Sequence, residues 1–393
     1  MPDPEDLPFR RPGPATIGIH GGLTARVPGQ PVVPAIMQSA TFFWGKPGDG
    51  ELIYSRYGNN PNQEQVGRKL AALEGTEAAV ALGSGMAATA MTLLALTKAG
   101  DHVLASSMLY GATQTLLRDE LPRRGVDTTF VDPGTVRGWR QAVRPNTRVI
   151  LVEMPTNPTI RVLDPRPIAA LAMERGVTFL VDATFASPIN FKPVTMGADA
   201  VIHSATKYLG GHSDLIAGVV CGSRGLVEEV TRVSRLYGPA LDPHAAWLLD
   251  RGIRTLDVRM ERHNRNALEL ARWFSHQAGV AVVHHPGLES HPDHAFAATH
   301  MEGFGGMLAL VLEGGGAAAD RFMKALELAL VAPSLGGVET LVSQPRYTSH
   351  VGLSARELAA QGIDDGFVRI SVGIEDVRDL MVDFRKALEA AGA

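Results

Sequence analysis

In the stretch VIHSATKYLGGHSD, Val201–Asp214, a short β-branched run ends in Ser204 and gives way to Thr206, Lys207 and a glycine turn. A lysine at the mouth of a buried strand can capture an aldehyde once its ammonium loses its proton. The residues just past the other apolar runs are as informative. They are Gly83-Ser84-Gly85-Met86 after AAVAL, Tyr110 after HVLAS, Asn157 after RVILVEM and Asp182 in VTFLVDATF. The turn GSGMAA opens a helix, so the amides of Gly85 and Met86 are free to receive a dianionic phosphate. Ser204 and Thr206 add hydroxyl donors to the same group. Asp182 suits a protonated ring nitrogen, and Tyr110 suits a stacked ring face. Each has an ordinary structural reading on its own: a solvated lysine, a turn-capping aspartate, a rim tyrosine, a packed small-residue helix start. Together they form the inventory of a pyridoxal phosphate site.

The elements around these residues make the grouping coherent. From Pro61 to about Arg251, short continuous apolar runs alternate with helical segments. That pattern predicts an α/β fold, a mostly parallel sheet with helices on both faces, whose ligands sit beyond the carboxyl ends of the strands. Residues 1–50 are rich in Pro and Gly and read as an extended N-terminal arm. Residues 51–250 form the cofactor domain, and 251–393 a smaller α+β C-terminal domain with strands in GMLALVLEG and FVRISVGI. The 393 residues are 45% hydrophobic and 20% charged, enough for a large core. A net charge of −4 gives no electrostatic reason to expect nucleic acid or an anionic membrane. No signal peptide and no membrane span are evident, so the expected location is cytoplasmic. The single cysteine, Cys221, lies in an apolar run and reads as an inert core thiol. His284, His285, His291, His294 and His300 cluster in sequence, but Pro286 and Pro292 interrupt them and no zinc-helix spacing appears, so no metal is expected. A nicotinamide dehydrogenase is disfavoured because no strand is followed by G-x-G-x-x-G.

The segments YSRYG, GSGMAA, EMPTNPT, VDATFASP, HSATKYLGGHSD, SLGGVETLVSQP and VRISVGIED occur in that order. From about Thr16 to the C-terminus the chain thereby resembles the Cys/Met-metabolism family of pyridoxal phosphate enzymes. The members it resembles most are cystathionine γ-synthase and cystathionine γ-lyase. The resemblance implies a fold-type I transferase acting on a small amino-acid substrate, assembled as a homotetramer of dimers. It implies that Lys207 anchors the cofactor and carries protons at Cα and Cβ. Tyr54 and Arg56 would reach the phosphate in the neighbouring subunit. Asn157 would touch the ring oxygen and the substrate carboxylate, Ser334 would help place both that carboxylate and Lys207, and Arg369 would clamp the carboxylate. Tyr110 would assist the leaving group.

The implied reaction is γ-elimination or γ-replacement on cystathionine or an O-acylhomoserine, with cystathionine β-lyase or methionine γ-lyase as alternatives. A pyridoxal-binding regulator without turnover is the alternative of another class. It fits less well, because a non-catalytic binder has no need of the Arg369 clamp. Three departures bear on substrate. The loop YSRYGNNPNQ is one residue longer than the usual pattern and carries Asn59, Asn60 and Asn62. Ala112 stands where methionine γ-lyases usually have cysteine. Pro333 stands where many cystathionine enzymes have a glutamate that meets a distal amino group.

Overall fold

The computed structural model describes residues 12–348 except 24–26, 47, 49 and 135, together with 358 and 362–392. Among the described residues the strands form two sheets. The larger has seven strands: β1 (Ala78–Leu82), β2 (His102–Ser106), β3 (Asp127–Val131), β4 (Thr147–Glu153), β5 (Thr178–Asp182), β6 (Ala200–Ser204) and β7 (Gly218–Gly222). Their order is β1-β7-β6-β5-β4-β2-β3. The five strands β3, β2, β4, β5 and β6 run parallel, and β7 is antiparallel to both of its neighbours. The predicted mostly parallel sheet is therefore mixed at one edge.

Alternation along each strand builds two cores. Val80, Leu82, Val103, Leu151, Leu180 and Ile202 face one side, with α3 (Gly85–Leu96) and the helix Arg224–Tyr237 packed over them. Ala81, Leu104, Ile150, Val152, Phe179, Val181 and Val201 face the other, under α2 (Pro61–Glu74) and the helix Arg166–Arg175. A sheet covered on both faces needs strands that are apolar at every position, which explains the continuous runs in the sequence. Cys221 is buried in the second core, and burial pushes its thiol up.

The N-terminal arm is not wholly extended. Pro14–His20 forms a helix, α1, with Pro at its first turn, and Gly18 is buried against the Ile253 carbonyl. The smaller sheet contains β8 (Val280–His284), β9 (Met307–Leu312), β10 (Leu330–Val331), β11 (Leu341–Ser343) and β12 (Phe367–Ser371), in the order β10-β11-β12-β9-β8. Along β12, Val368 and Ile370 enter the core of this domain, whereas Phe367 belongs to the core of the large one. The period of two then turns Arg369 toward the large domain. Pairing with Ala309 on one side and Ser343 on the other holds its backbone. No helix among the described residues is long and apolar enough to cross a membrane.

Candidate active site

The parallel strands all end at one rim of the large sheet, and a cavity of about 530 Å³ opens there, walled on its other side by the small domain. Ser84, Gly85, Met86, Tyr110, Asn157, Asp182, Ser204, Thr206, Lys207, Ser334 and Arg369 all line it, although they come from segments far apart in sequence. Tyr54 and Arg56 do not. They form a separate cluster, with Arg56 lying 5.5 Å from the Tyr54 ring centre and 5.0 Å from that of Tyr57, and donating to the Arg235 carbonyl at 2.5 Å.

Lys207 sits in the turn after β6, and its Nζ donates to Ser334 Oγ at 2.7 Å. Burial, and after it the nearby Arg369 guanidinium, push the Lys207 amine down to about 8. An amine so depressed is neutral often enough at physiological pH to attack a carbonyl. The turn is pinned from the other domain: Gly336, at φ 75°, lies so close that a Cβ there would stand 2.6 Å from the Tyr208 amide nitrogen. Ser334 itself takes a left-handed φ of 94°, which an L-residue adopts only under constraint. The constraint is visible, since its hydroxyl receives Lys207 and its carbonyl receives Arg369 Nη2 at 3.0 Å.

Asp182 closes β5. Thr184 donates to its Oδ1 through both the amide at 3.0 Å and the hydroxyl at 2.6 Å, and Thr184 Oγ1 accepts the Ser204 amide at 2.9 Å. The capping reading of Asp182 is thus true of one oxygen, and the other remains for a ligand. Burial pushes this carboxyl up, against the two bonds from Thr184. A cationic ring nitrogen at this point would supply the missing counter-charge.

At the opposite end, Ser84 caps α3 by accepting the Ala87 amide at 3.0 Å, which leaves the Gly85 and Met86 amides at the helix start free for an anion. A Cβ on Gly85 would lie 2.6 Å from Ser204 Cβ, so only glycine lets the helix start approach β6 this closely. The Thr206 hydroxyl donates to the Ala217 carbonyl at 3.2 Å and accepts the Ala217 amide at 3.0 Å. It therefore braces the turn and has one lone pair left.

Arg369 is only 5% exposed. Nη1 donates to Asn157 Oδ1 at 3.0 Å, Nη2 to the Ser334 carbonyl, and Nε has no partner. A buried guanidinium held by neutral oxygens, with an unpaired N–H, is prepared for a carboxylate. Burial lowers it to about 10, which leaves it cationic at neutral pH.

Sequence reasoning missed Glu153, which closes β4 opposite Asp182, accepts the Tyr110 amide at 2.7 Å and the Asn157 amide at 2.8 Å, and lines the cavity. Burial and the adjacent Asp182 hold its carboxyl well above the usual range. The signal was available: a carboxylate ends the apolar run RVILVE just as Asp182 ends VTFLVD. Thr184, Ile216, Leu335, Tyr347 and Thr348 were also missed, and nothing in their local sequence marks them as cavity residues.

The histidines of the C-terminal half do not converge. His285 Nδ1 accepts the Gly287 amide, His291 Nδ1 the Asp293 amide, and His294 bonds the Pro286 carbonyl. Among the described residues no group of three or more His, Cys, Asp or Glu is placed to hold a metal ion.

The residues present fit pyridoxal phosphate: a depressed lysine, a buried carboxylate with a free oxygen, and a helix N-terminus with a glycine-width approach. Comparison with known proteins agrees. Residues 15–389 match the model of the Cys/Met metabolism PLP-dependent enzyme family. The chain is 41% identical over 391 residues to an L-methionine γ-lyase of Pseudomonas putida, covering 97% of this chain and 98% of that one. It is 38% identical over 338 residues to an O-succinylhomoserine sulfhydrylase of Pseudomonas aeruginosa, covering 86% of this chain and 84% of the other. The crystal structure of a cystathionine γ-lyase from Lactobacillus plantarum complexed with L-serine superposes with a TM-score of 0.93 at 34% identity, over 97% of this chain and 100% of that one. With the site geometry and the match along nearly the whole chain in agreement, this protein belongs to the Cys/Met-metabolism family, and it is a fold-type I, pyridoxal phosphate-dependent carbon–sulfur lyase or transferase.

Proposed function

We propose that the chain carries out γ-elimination or γ-replacement on a sulfur amino acid or an O-acylhomoserine, as cystathionine γ-lyase and γ-synthase do. The observation that carries this reading is the Lys207–Ser334–Arg369 arrangement, in which a depressed amine and a carboxylate clamp share one serine. When bound, the cofactor supplies an electron sink for the α-carbanion. Lys207 would hold its aldehyde and, once released, would take the proton from Cα, hand it on, and only then take one from Cβ. Asp182 keeps the ring nitrogen protonated. Gly85, Met86 and Ser204 would hold the phosphate, Thr206 joining them only by turning its hydroxyl from the Ala217 carbonyl, and Tyr110 would cover the ring face. Arg369, with Asn157 and Ser334, fixes the substrate carboxylate so that the Cα proton faces Lys207.

Tyr54 and Arg56 lie outside this chain's cavity, and the arm around them exposes Val32, Val33, Phe43 and Trp44. Such an apolar surface supports an assembly of dimers into a homotetramer, with Tyr54 and Arg56 completing the phosphate site of the neighbouring subunit. A cytoplasmic location accords with the reaction class.

A second reading, methionine γ-lyase, has equal standing. Among the described residues Ile216, Pro333, Leu335 and Tyr347 give the cavity an apolar outer wall, and of its carboxylates Glu153 is buried and Asp182 half-buried. That wall suits a methylthio group as well as an acyl ester. The test is product analysis with pyridoxal phosphate-loaded protein. Cystathionine and methionine should each yield 2-oxobutyrate by γ-cleavage, with the preferred substrate set by relative kcat/KM. Pyruvate from cystathionine would identify β-cleavage and overturn the γ-reading. Absence of keto acid from all of these substrates, together with absence of a thioether product from O-acylhomoserines offered with a thiol, would favour a non-catalytic binder.

A further inference from the structure

Five hydrogen bonds connect the face of the cavity to its clamp. The Tyr110 amide donates to Glu153 Oε2, and the Asn157 amide to Glu153 Oε1. Asn157 Oδ1 accepts Arg369 Nη1, Arg369 Nη2 donates to the Ser334 carbonyl, and Ser334 Oγ accepts Lys207 Nζ. Glu153 is the one acidic group in this chain of contacts and is 5% exposed. Tyr110 depends on it unusually. It begins α4 (Gly111–Thr115) with no side-chain cap, and it is 42% exposed, so little packing holds the ring. Asn157 depends on it from the other side, since its amide is fixed by Glu153 while its side chain orients Arg369.

We propose that Glu153 is a positioning residue for the reaction, using its two carboxylate oxygens to set Tyr110 and the Asn157–Arg369 clamp in register with each other. This rests on the family reaction assigned above, and it goes further in giving one buried carboxylate control of both the ring-stacking and the carboxylate-binding ends of the site. The physical reason for a glutamate is that both partners are N–H donors, so two acceptor oxygens are required. An amide in its place offers one oxygen and turns an NH₂ against the second donor.

Glu153→Gln is the informative variant because it keeps the shape of the side chain. Loss of one of the two amide-to-carboxyl bonds predicts roughly a ten- to hundredfold fall in kcat/KM. If Asn157 is displaced, the fall appears mainly in KM through Arg369; if Tyr110 is displaced, it appears mainly in kcat. Either displacement should also change the visible circular dichroism of bound pyridoxal phosphate, which reports the ring's asymmetric surroundings. Glu153→Asp keeps the carboxyl but withdraws it by one methylene, and should not restore activity if two-point reach is what matters. The melting temperature of the cofactor-free Glu153→Gln protein should stay near wild type, because the substitution also removes a carboxylate that crowds Asp182. Wild-type kinetics and dichroism in Glu153→Gln would overturn the proposal, and so would a cofactor-free variant that melts far below wild type, which would make the residue merely structural. A wild-type protein that binds no pyridoxal phosphate would overturn the underlying reading as well, so the two failures are distinguishable.

Discussion

The floor of the cavity and the N-terminal arm solve opposite problems. On the floor, titratable side chains are buried or half-buried and each is held by neutral partners: Lys207 by Ser334, Arg369 by Ser334 and Asn157, Glu153 by two amides. In the arm, polar side chains hold the backbone while apolar ones face outward. Asn62 bonds both the Met37 amide and the Ala35 carbonyl, Asn60 bonds the Met37 carbonyl, and Trp247 donates to the Pro34 carbonyl. Phe43 and Trp44 are meanwhile exposed. The asparagines that looked like a substrate-related departure are thus fasteners. Asn60 caps α2 in a capping box with Gln63, and Asn59 accepts the Tyr54 amide. The contrast teaches that the floor groups are held by partners within one chain, whereas the arm leaves Phe43 and Trp44 exposed, the surface on which the proposed assembly rests.

This contrast can be broken at either end. The largest effect is expected from Lys207→Ala, which removes the covalent anchor and the proton carrier; turnover should fall on the order of 10³-fold or more, measured as keto-acid release. Arg369→Lys keeps the charge but loses the planar fork, and should raise KM about ten- to hundredfold with a smaller change in kcat. The depressed amine of Lys207 gives a pH test. It is charged below about 8 and neutral above. Capture of pyridoxal phosphate by cofactor-free protein should therefore gain about tenfold per pH unit up to about 8 and then level off, whereas a solvated lysine would keep gaining to above 10.

Arg56→Ala sharpens the comparison, because it lies just past the arm and outside this chain's cavity but should weaken cofactor binding, by up to about tenfold on losing a charge-assisted contact. Mixing it with Lys207→Ala protein under conditions of subunit exchange should restore activity above either parent. No recovery would place Arg56 outside any shared site. The smallest effect is expected from Asn60→Ala, which removes a helix cap and should cost about 1 kcal/mol in urea unfolding with kcat unchanged.

Strand ends and their chemistry were legible in the chain because a parallel sheet covered on both faces leaves a sharp imprint. Most of its strands are apolar for the larger part of their length, so the first polar residue after each one stands out, and Lys207, Asp182 and the GSGM turn were found in this way. Glu153 could have been found by the same rule. Thr184, Ile216 and Tyr347 could not, since hydroxyls, aliphatics and aromatics occur everywhere and only their placement in space makes them part of the wall. The antiparallel course of β7 was also hidden, because strand direction leaves no mark on an apolar run of five residues.

The sequence by itself determined the cofactor chemistry, since an aldehyde-binding lysine, a ring-pairing carboxylate and a phosphate-receiving helix start are properties of residue type and local spacing. Tertiary structure alone decided which groups share a proton or a partner. The Lys207–Ser334 bond and the Arg369–Asn157 bond join residues 127 and 212 positions apart. The Lys207 amine is depressed by burial and by a guanidinium from another domain, and electrostatics between groups so distant in sequence exists only once the chain has closed around them.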